Sequence, residues 1–163
     1  VLDVVSTNTH QYDLPFHYAG QLIDSSAHLD TKTQHLAPLG KASGYEHLWL
    51  KATGEPKDAV TRVTWLKDNR FYSLNTLLPR DGEMLFTELG ANDPNFNLRR
   101  ENAVILRQTG KKQARFVSLL EPHGEYNGSQ VFTLASKHQL IALAEYAYDE
   151  ANAVVLELAG QGA

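Results

Sequence analysis

The chain has 163 residues, of which 42% are hydrophobic and 21% charged, with a net charge of −4 and no cysteine. This balance is typical of one globular domain and excludes a disordered chain, disulfides and thiolate metal sites. No basic cluster occurs, and no apolar run reaches the roughly 20 residues needed to cross a bilayer, so the sequence argues against nucleic-acid and membrane partners.

The first third of the chain combines short β-prone runs with polar connections. Val1–Ser6 is rich in Val and predicts a strand. Pro15 cannot donate a ladder hydrogen bond, so we expect the segment around it to be an edge or a loop. Residues 24–44 are polar and predict a long connection, after which the alternation of Tyr45–Lys51 predicts another strand.

Two hairpins are predicted in the middle of the chain. The first joins Ala59–Leu66 to Arg70–Leu78 through a short turn. The second joins Asn102–Gln108 to Gln113–Leu120 across the sequence TGKK. Between the two hairpins, Glu83–Leu89 predicts a single strand.

The last part of the chain begins with a stretch dense in turn-forming residues, Glu121–Ser129, which predicts a loop. Gln130–Ala135 and Asn152–Ala159 predict strands. His138–Glu150 has helix propensity, but it is flanked by strands, and we predict a strand there. Together these elements predict an all-β fold in one domain, residues 1–163: a mostly antiparallel β-sandwich of about ten strands.

A loop rich in Gly, Asn, Asp and Pro is predicted at Gly90–Glu101. It ends with two neighbouring guanidinium groups, Arg99 and Arg100, and Arg is well shaped to bind carboxylates. Two interpretations remain open. Either the arginines bind an acidic ligand, or they are solvated residues of an ordered turn.

The predicted loop at 121–129 carries a second group of candidates. Glu121, His123, Glu125 and Tyr126 lie within six residues, and paired carboxylates serve as acid and base in glycoside hydrolysis. The alternative is that the stretch only forms a tight turn, for which Pro122 is well suited.

Histidines and aromatic residues elsewhere offer weaker candidates. His10 and His17 flank Asp13 and are candidates for metal binding or proton transfer, or for simple packing at an irregular edge. Trp49, Trp65 and Phe71 are candidates for a sugar-stacking platform, or for the core, where strand aromatics more often lie.

Four stretches carry a family resemblance: His10–Ile23, Gly44–Trp49, Phe86–Arg107 and Phe116–Asn127. In this order and spacing the chain resembles the C-terminal β-sheet region of heparinase II/III-like polysaccharide lyases, closest to the exolytic oligoalginate lyases of polysaccharide lyase family 17. The stretches GANDPNFNLR and EPHGEYN are the specific parts.

The chain opens VLDVVS, with no initial Met and no signal peptide, so we expect it to be a piece of a longer polypeptide.

The resemblance implies cleavage of acidic, alginate-type oligosaccharides by β-elimination in the periplasm or outside the cell. In that family the catalytic Tyr and His come mostly from an N-terminal α/α toroid, which is therefore an expected partner in the same polypeptide. The family's structural zinc is held by a HxHxD-type stretch and a SHNT-like stretch, and neither occurs in this sequence. We therefore assign no catalytic residue, metal or cofactor to this chain and expect the zinc site upstream.

The resulting hypothesis is a C-terminal domain that forms one wall of the substrate cleft of an (oligo)alginate lyase and is inactive alone. Its predicted substrate-binding residues are Glu121, His123, Arg99 and Arg100. The alternative is a β-sandwich that binds acidic sugar without cleaving it, or that only supports another domain.

Overall fold

In a computed structural model of the protein, residues 1–31, 37–90, 100–148 and 151–160 are described. They contain twelve β-strands and one short 3-10 helix, and none of them forms a helix long and apolar enough to span a membrane. In chain order the elements are β1 (Leu2–Tyr18), β2 (Gln21–Ser25), β3 (His28–Asp30), β4 (Ala37–Pro38), the 3-10 helix (Tyr45–His47), β5 (Leu48–Glu55), β6 (Val60–Lys67), β7 (Arg70–Leu77), β8 (Glu83–Leu89), β9 (Glu101–Asn127), β10 (Phe132–Leu134), β11 (Leu140–Ala147) and β12 (Asn152–Leu158). The predicted all-β class is confirmed.

Ten of these strands form one antiparallel sheet, and β11 and β12 form a separate hairpin. The main path through the large sheet is β2-β6-β7-β9-β8-β5-β3, with β1 and β10 also on β9 and β4 on β5. The start of β9 pairs with β8, whereas its later part pairs with β7. The 27-residue strand β9 therefore links two layers, as expected for a sandwich.

The core lies between these two layers. Met84 and Leu106 are paired on β8 and β9, Val63 and Leu74 are paired on β6 and β7, and all four belong to one buried cluster. Because successive side chains of a strand point to opposite faces, the alternating apolar residues of both layers meet here. Trp65 joins the same cluster, so this aromatic residue is part of the core.

The beginning of the chain differs from the prediction. β1 does not end near Ser6 but runs on to Tyr18, with Pro15 placed opposite Ile105 of β9. Among the described strands β9 is the only partner of β1, so Pro15 lies at an edge, where a missing N–H is tolerated. The strand predicted at 45–51 begins only at Leu48, after the 3-10 helix, and the polar connection 24–44 contains β3 and β4.

The predicted hairpin at TGKK is wrong, because β9 continues through this sequence without reversing. β1 runs beside β9 and pairs with it on both sides of the predicted turn, with Tyr12 opposite Gln108 and Val5 opposite Gln113. Gly110 takes a positive φ of 70° inside the strand, where other residues would be strained. Gly110 thus accommodates an irregularity in the pairing of β1 with β9.

The end of the chain contains one confirmed prediction and one correction. Residues 140–147 form a strand, β11, as predicted, and its partner β12 follows. Glu121–Asn127, predicted as part of a loop, is instead the last section of β9. Leu140 and Leu143 of β11 pack with Val117 of β9 in a second, smaller core.

Candidate functional site

The outer face of the β6-β7-β9 layer brings together two of the predicted site residues, Glu121 and His123. They lie two positions apart on β9, so their side chains share one face of the sheet. Across the ladder they are paired with Ser73 and Phe71 of β7. Position on a strand, rather than in a loop, fixes the direction of both side chains.

His123 is buried, with 6% of its surface exposed. Its Nε2 atom lies 2.9 Å from Ser73 Oγ, which is 2.8 Å from Thr64 Oγ1, and its ring stacks on Phe71 with a centroid distance of 5.8 Å. Nδ1 makes no hydrogen bond of normal geometry with any described residue. Burial lowers the pKa of His123, against the opposing effects of the Glu121 carboxylate and the Ala135 backbone.

Glu121 contacts the beginning of β11. Its carboxylate accepts a hydrogen bond from the backbone N–H of Gln139 and another, at 3.4 Å, from the N–H of Leu140. Arg62 donates from Nη2 to the carbonyl of Leu140 at 3.0 Å and from Nε to Asn75 Oδ1 at 2.6 Å. We call Arg62, Asn75 and Glu121 the polar clasp, because together they hold both backbone groups of Leu140.

The distance between Ser73 and His123 is that of a catalytic serine and its base. The surroundings of the two residues, however, are not those of an active site. Ser73 is fully buried on a strand, and its hydroxyl is shared with Thr64. An activated serine also needs access to substrate and a third group that orients the base, and Nδ1 of His123 makes no hydrogen bond of normal geometry with the described residues. In this chain the pair is a buried polar contact between β7 and β9.

A pH dependence follows from His123 and His138. Burial is the main cause that lowers the pKa of each, and the charged groups facing them are Asp24, Arg62, Arg70 and Glu121. The folded state disfavours protonation of these two histidines. Their contribution to the free energy of unfolding should therefore be constant above about pH 6.5 and decrease as the pH falls below it. Chemical denaturation of the wild type at about pH 7.5 and about pH 5.5 measures this change.

The matched variants for this pH experiment are His123→Gln and His47→Gln. His47 has 71% of its side chain exposed and serves as the control. His123→Gln should show a smaller loss of stability on acidification than the wild type, whatever its stability at neutral pH. An equal pH dependence in both variants would exclude His123 as a source of the effect.

Arg100 lies at the other end of β9, away from the polar clasp. Its Nη1 atom is 3.4 Å from Oε2 of Glu88, which is 9% exposed, and half of the Arg100 side chain remains exposed. Lys51 approaches the other oxygen of Glu88 at 3.6 Å and also lies 3.4 Å from Asn102 Oδ1. Arg99 lies outside the described residues. Substrate binding by either arginine stays a prediction.

The early histidines do not form a centre with Asp13. Asp13 instead accepts hydrogen bonds from Arg107 and from the hydroxyl of Tyr45, while His10 contacts Ser6. In the described part of the chain, no group of three or more His, Cys, Asp or Glu side chains is placed to hold a metal. The zinc site that the family resemblance implies upstream stays a prediction.

No family model matches the chain. It is 39% identical over 161 residues to a protein of Saccharophagus degradans named exo-oligoalginate lyase, a match that covers 97% of this chain and 22% of that protein. It is also 36% identical over 159 residues to a protein of Stenotrophomonas maltophilia named alginate lyase, covering 98% of this chain and 21% of that protein. The chain therefore spans about a fifth of the length of these relatives, whose names support a relationship to the alginate lyases.

Proposed function

We propose that the chain is the C-terminal β-sandwich domain of an (oligo)alginate lyase and forms one wall of its substrate cleft. This proposal rests on sequence identity. Along nearly its whole length, the chain is 39% and 36% identical to two proteins named as alginate lyases. The all-β fold agrees with the predicted β-sandwich. The substrate is then an acidic, alginate-type oligosaccharide, met in the periplasm or outside the cell.

The proposed reaction is a β-elimination. A base removes the proton at C5 of a uronate, a positive or hydrogen-bonding group neutralises its carboxylate, and the oxygen linked at C4 leaves. We assign proton transfer to groups outside this chain, from the N-terminal α/α toroid of the same polypeptide. Two observations support that assignment: His123 is buried against Ser73, and the Tyr45 hydroxyl is held by Asp13.

The contribution of this chain is then positional. We retain Glu121, His123, Arg99 and Arg100 as the proposed substrate contacts. Exposure favours Arg100, whose side chain is 53% exposed, over His123, which is buried. A guanidinium at the cleft wall would bind the uronate carboxylate and could neutralise it.

The test is a cleavage assay on the isolated chain with alginate oligomers, which follows the absorbance of the unsaturated uronate product. We expect no turnover, because the proton-transfer groups are assigned elsewhere. Turnover by the isolated chain would contradict the proposal. Mass spectrometry of the native protein is the companion measurement, and a native chain of only this length would contradict the proposed larger lyase.

A second candidate function is a module that binds acidic sugar without cleaving it. A cavity of about 410 Å³ at one end of the sandwich favours this possibility. Calorimetric titration with alginate oligomers tests this candidate, since a purely structural support would give no heat of binding.

A further inference from the structure

We propose that β12 is an interface strand, through which two copies of this chain pair edge to edge. All seven residues of β12, Asn152–Leu158, are exposed, although the strand reads NAVVLEL and carries a single charge, that of Glu157. Among the described strands only β11 pairs with β12, so the other edge of β12 is open. An exposed apolar edge strand is a template for pairing with another chain. This inference goes beyond the proposed function and does not depend on it.

β12 is apolar on both of its faces. On the face that it shares with Leu143, Leu156 is 44% exposed and Val154 is 38% exposed, whereas Leu143 itself is buried in the smaller core. On the opposite face, Val155 is 51% exposed. Continuous apolar runs are typical of strands that are buried on both faces. The smaller core therefore continues onto β12, where it is open to solvent.

The open edge of β12 presents backbone groups that a second strand can pair. At the start of the hairpin, Tyr148 and Ala151 exchange both of their backbone hydrogen bonds, at 2.7 and 3.4 Å. Hydrogen-bonded pairs alternate along an antiparallel ladder, so the residues of β12 at even positions, from Asn152 to Leu158, turn their N–H and C=O groups away from β11. A second strand pairs with these groups only in a register that places even positions opposite even positions.

An antiparallel pair of β12 strands centred on Val155 meets this condition. Val155 is the middle residue of β12, and a twofold axis would place it opposite itself. Val154 then lies opposite Leu156 of the second copy, and Asn152 lies opposite Leu158. All seven positions of β12 take part, and a shifted register pairs fewer of them.

The same register separates the two Glu157 carboxylates and gives each of them a donor. Glu157 lies opposite Ala153 of the second copy, and Ala153 is paired with Tyr146 on β11. Tyr146 and the Glu157 of the second copy therefore lie in one row, two strand spacings or about 9.6 Å apart, with only the methyl group of Ala153 between them. Among the described residues neither side chain makes a hydrogen bond or an ion pair, and Tyr146 is 52% exposed. The Tyr146 hydroxyl can thus donate to the carboxylate across the interface.

These features favour a second copy of the chain as the occupant of this edge. A strand from elsewhere in a longer polypeptide would have to match the apolar positions and the single carboxylate of β12, whereas β12 matches itself. Because both copies use the same strand, the contact closes on its twofold axis and gives a dimer.

The experiment is sedimentation equilibrium of the chain over about a hundredfold range of concentration, which measures its mass and the dissociation constant of the dimer. We expect a concentration-dependent equilibrium between monomer and dimer. Val155→Lys should weaken the dimer about tenfold, because two ammonium groups would face each other at the twofold axis. The control is Val5→Lys, the same change at a residue of β1 that is 74% exposed and lies outside the proposed interface. The control should dimerise like the wild type.

The variants Ala153→Lys and Ala153→Glu test the register. In the proposed dimer, position 153 faces Glu157 of the second copy. The lysine should therefore strengthen the dimer about threefold, and the glutamate should weaken it by a similar factor. Both variants change one exposed position of the monomer, so an effect on folding is not expected.

A disulfide gives a readout of the geometry that is independent of affinity. The chain has no cysteine, so Val155→Cys introduces one thiol per copy. In the proposed register the two residues at position 155 form a non-hydrogen-bonded pair with Cα atoms about 4.5 Å apart, which is within the range of a disulfide. Mild oxidation should link two copies of Val155→Cys but not two copies of Val5→Cys.

Four results would overturn the interface: a monomeric mass at every concentration, equal dissociation constants for Val155→Lys and Val5→Lys, equal effects of the two substitutions at Ala153, or no disulfide in Val155→Cys. None of them bears on the proposed lyase function, which the cleavage assay tests. Conversely, turnover by the isolated chain would refute the proposed function whether or not β12 joins two copies.

Discussion

Replacement of Arg107 by methionine is expected to lower the free energy of unfolding by about 3 kcal/mol at neutral pH. Arg107 donates two hydrogen bonds to Asp13, from Nε to Oδ1 at 2.8 Å and from Nη2 to Oδ2 at 2.7 Å. The side chains are 17% and 8% exposed, so the variant leaves a carboxylate with little access to water. Tyr45 also donates to Asp13, at 2.5 Å, but a phenol cannot replace the lost positive charge.

The contribution of Asp13 to the pH dependence of stability should have the opposite sign in this variant, so the difference in free energy of unfolding from the wild type should shrink as the pH falls. Burial alone would raise the pKa of Asp13, but the hydrogen bonds from Arg107 and Tyr45 lower it overall. In the wild type the stabilising contribution of Asp13 is therefore present above the ordinary pKa of 3.8 and lost as the pH falls through the folded value. Without Arg107, burial would raise the pKa of Asp13, so acidification should relieve part of the penalty.

Denaturant unfolding of wild type and Arg107→Met at about pH 7 and about pH 4 measures both effects. The matched control is Lys111→Met, which removes the partner of Asp81 from an ion pair that is far more exposed. We expect little change in that variant, since exposed pairs contribute little. Equal losses in the two variants would contradict the importance of burial at Asp13.

This ion pair also shows what local sequence patterns could and could not predict. Asp13 and Arg107 are 94 residues apart and meet only because the β1–β9 register places them opposite each other. No motif in either segment signals the contact. The sequence groups Asp13 instead with His10 and His17, because these residues are its neighbours along the chain.

Strands with clear borders were predictable, since their signals are local. Glu83–Leu89 was predicted with the bounds that β8 has, and the predicted β7 differs by one residue at its end. The failure at TGKK has a physical cause: turn propensity is weak, and pairing of β1 with both sides of the sequence keeps β9 extended. Tertiary pairing of this kind leaves no local trace.

The site residues illustrate the same limit. Pro122 and Gly124 led to the prediction of a loop, although an alternation that places Val117, Leu119 and Glu121 on one face was present in the sequence. That period of two could have indicated a strand. The group formed by Lys51, Glu88 and Arg100 had no such signal, because it joins three separate segments at the end of a sandwich.

The role of the polar clasp gives the second large prediction, for Glu121→Ala. This variant removes the acceptor of two backbone N–H groups at the start of β11, those of Gln139 and Leu140. We expect a loss of about 1–2 kcal/mol, because the contacts are only partly shielded from water. The effect should be local, with faster amide hydrogen exchange in β11 and β12 and little change at Leu74 in the main core.

Glu125→Ala is the matched control for this variant. Glu125 lies on the same strand, but its side chain is exposed and is not part of the clasp. If exchange in β11 responds to Glu121→Ala and not to Glu125→Ala, the carboxylate of Glu121 anchors the hairpin, and any loss of lyase activity in a longer protein includes this structural effect. If exchange is unchanged in both variants, the clasp does not hold β11, and Glu121 is available for the substrate contact proposed above. Glu121→Gln then separates charge from shape, because it keeps one acceptor oxygen but cannot attract a cation.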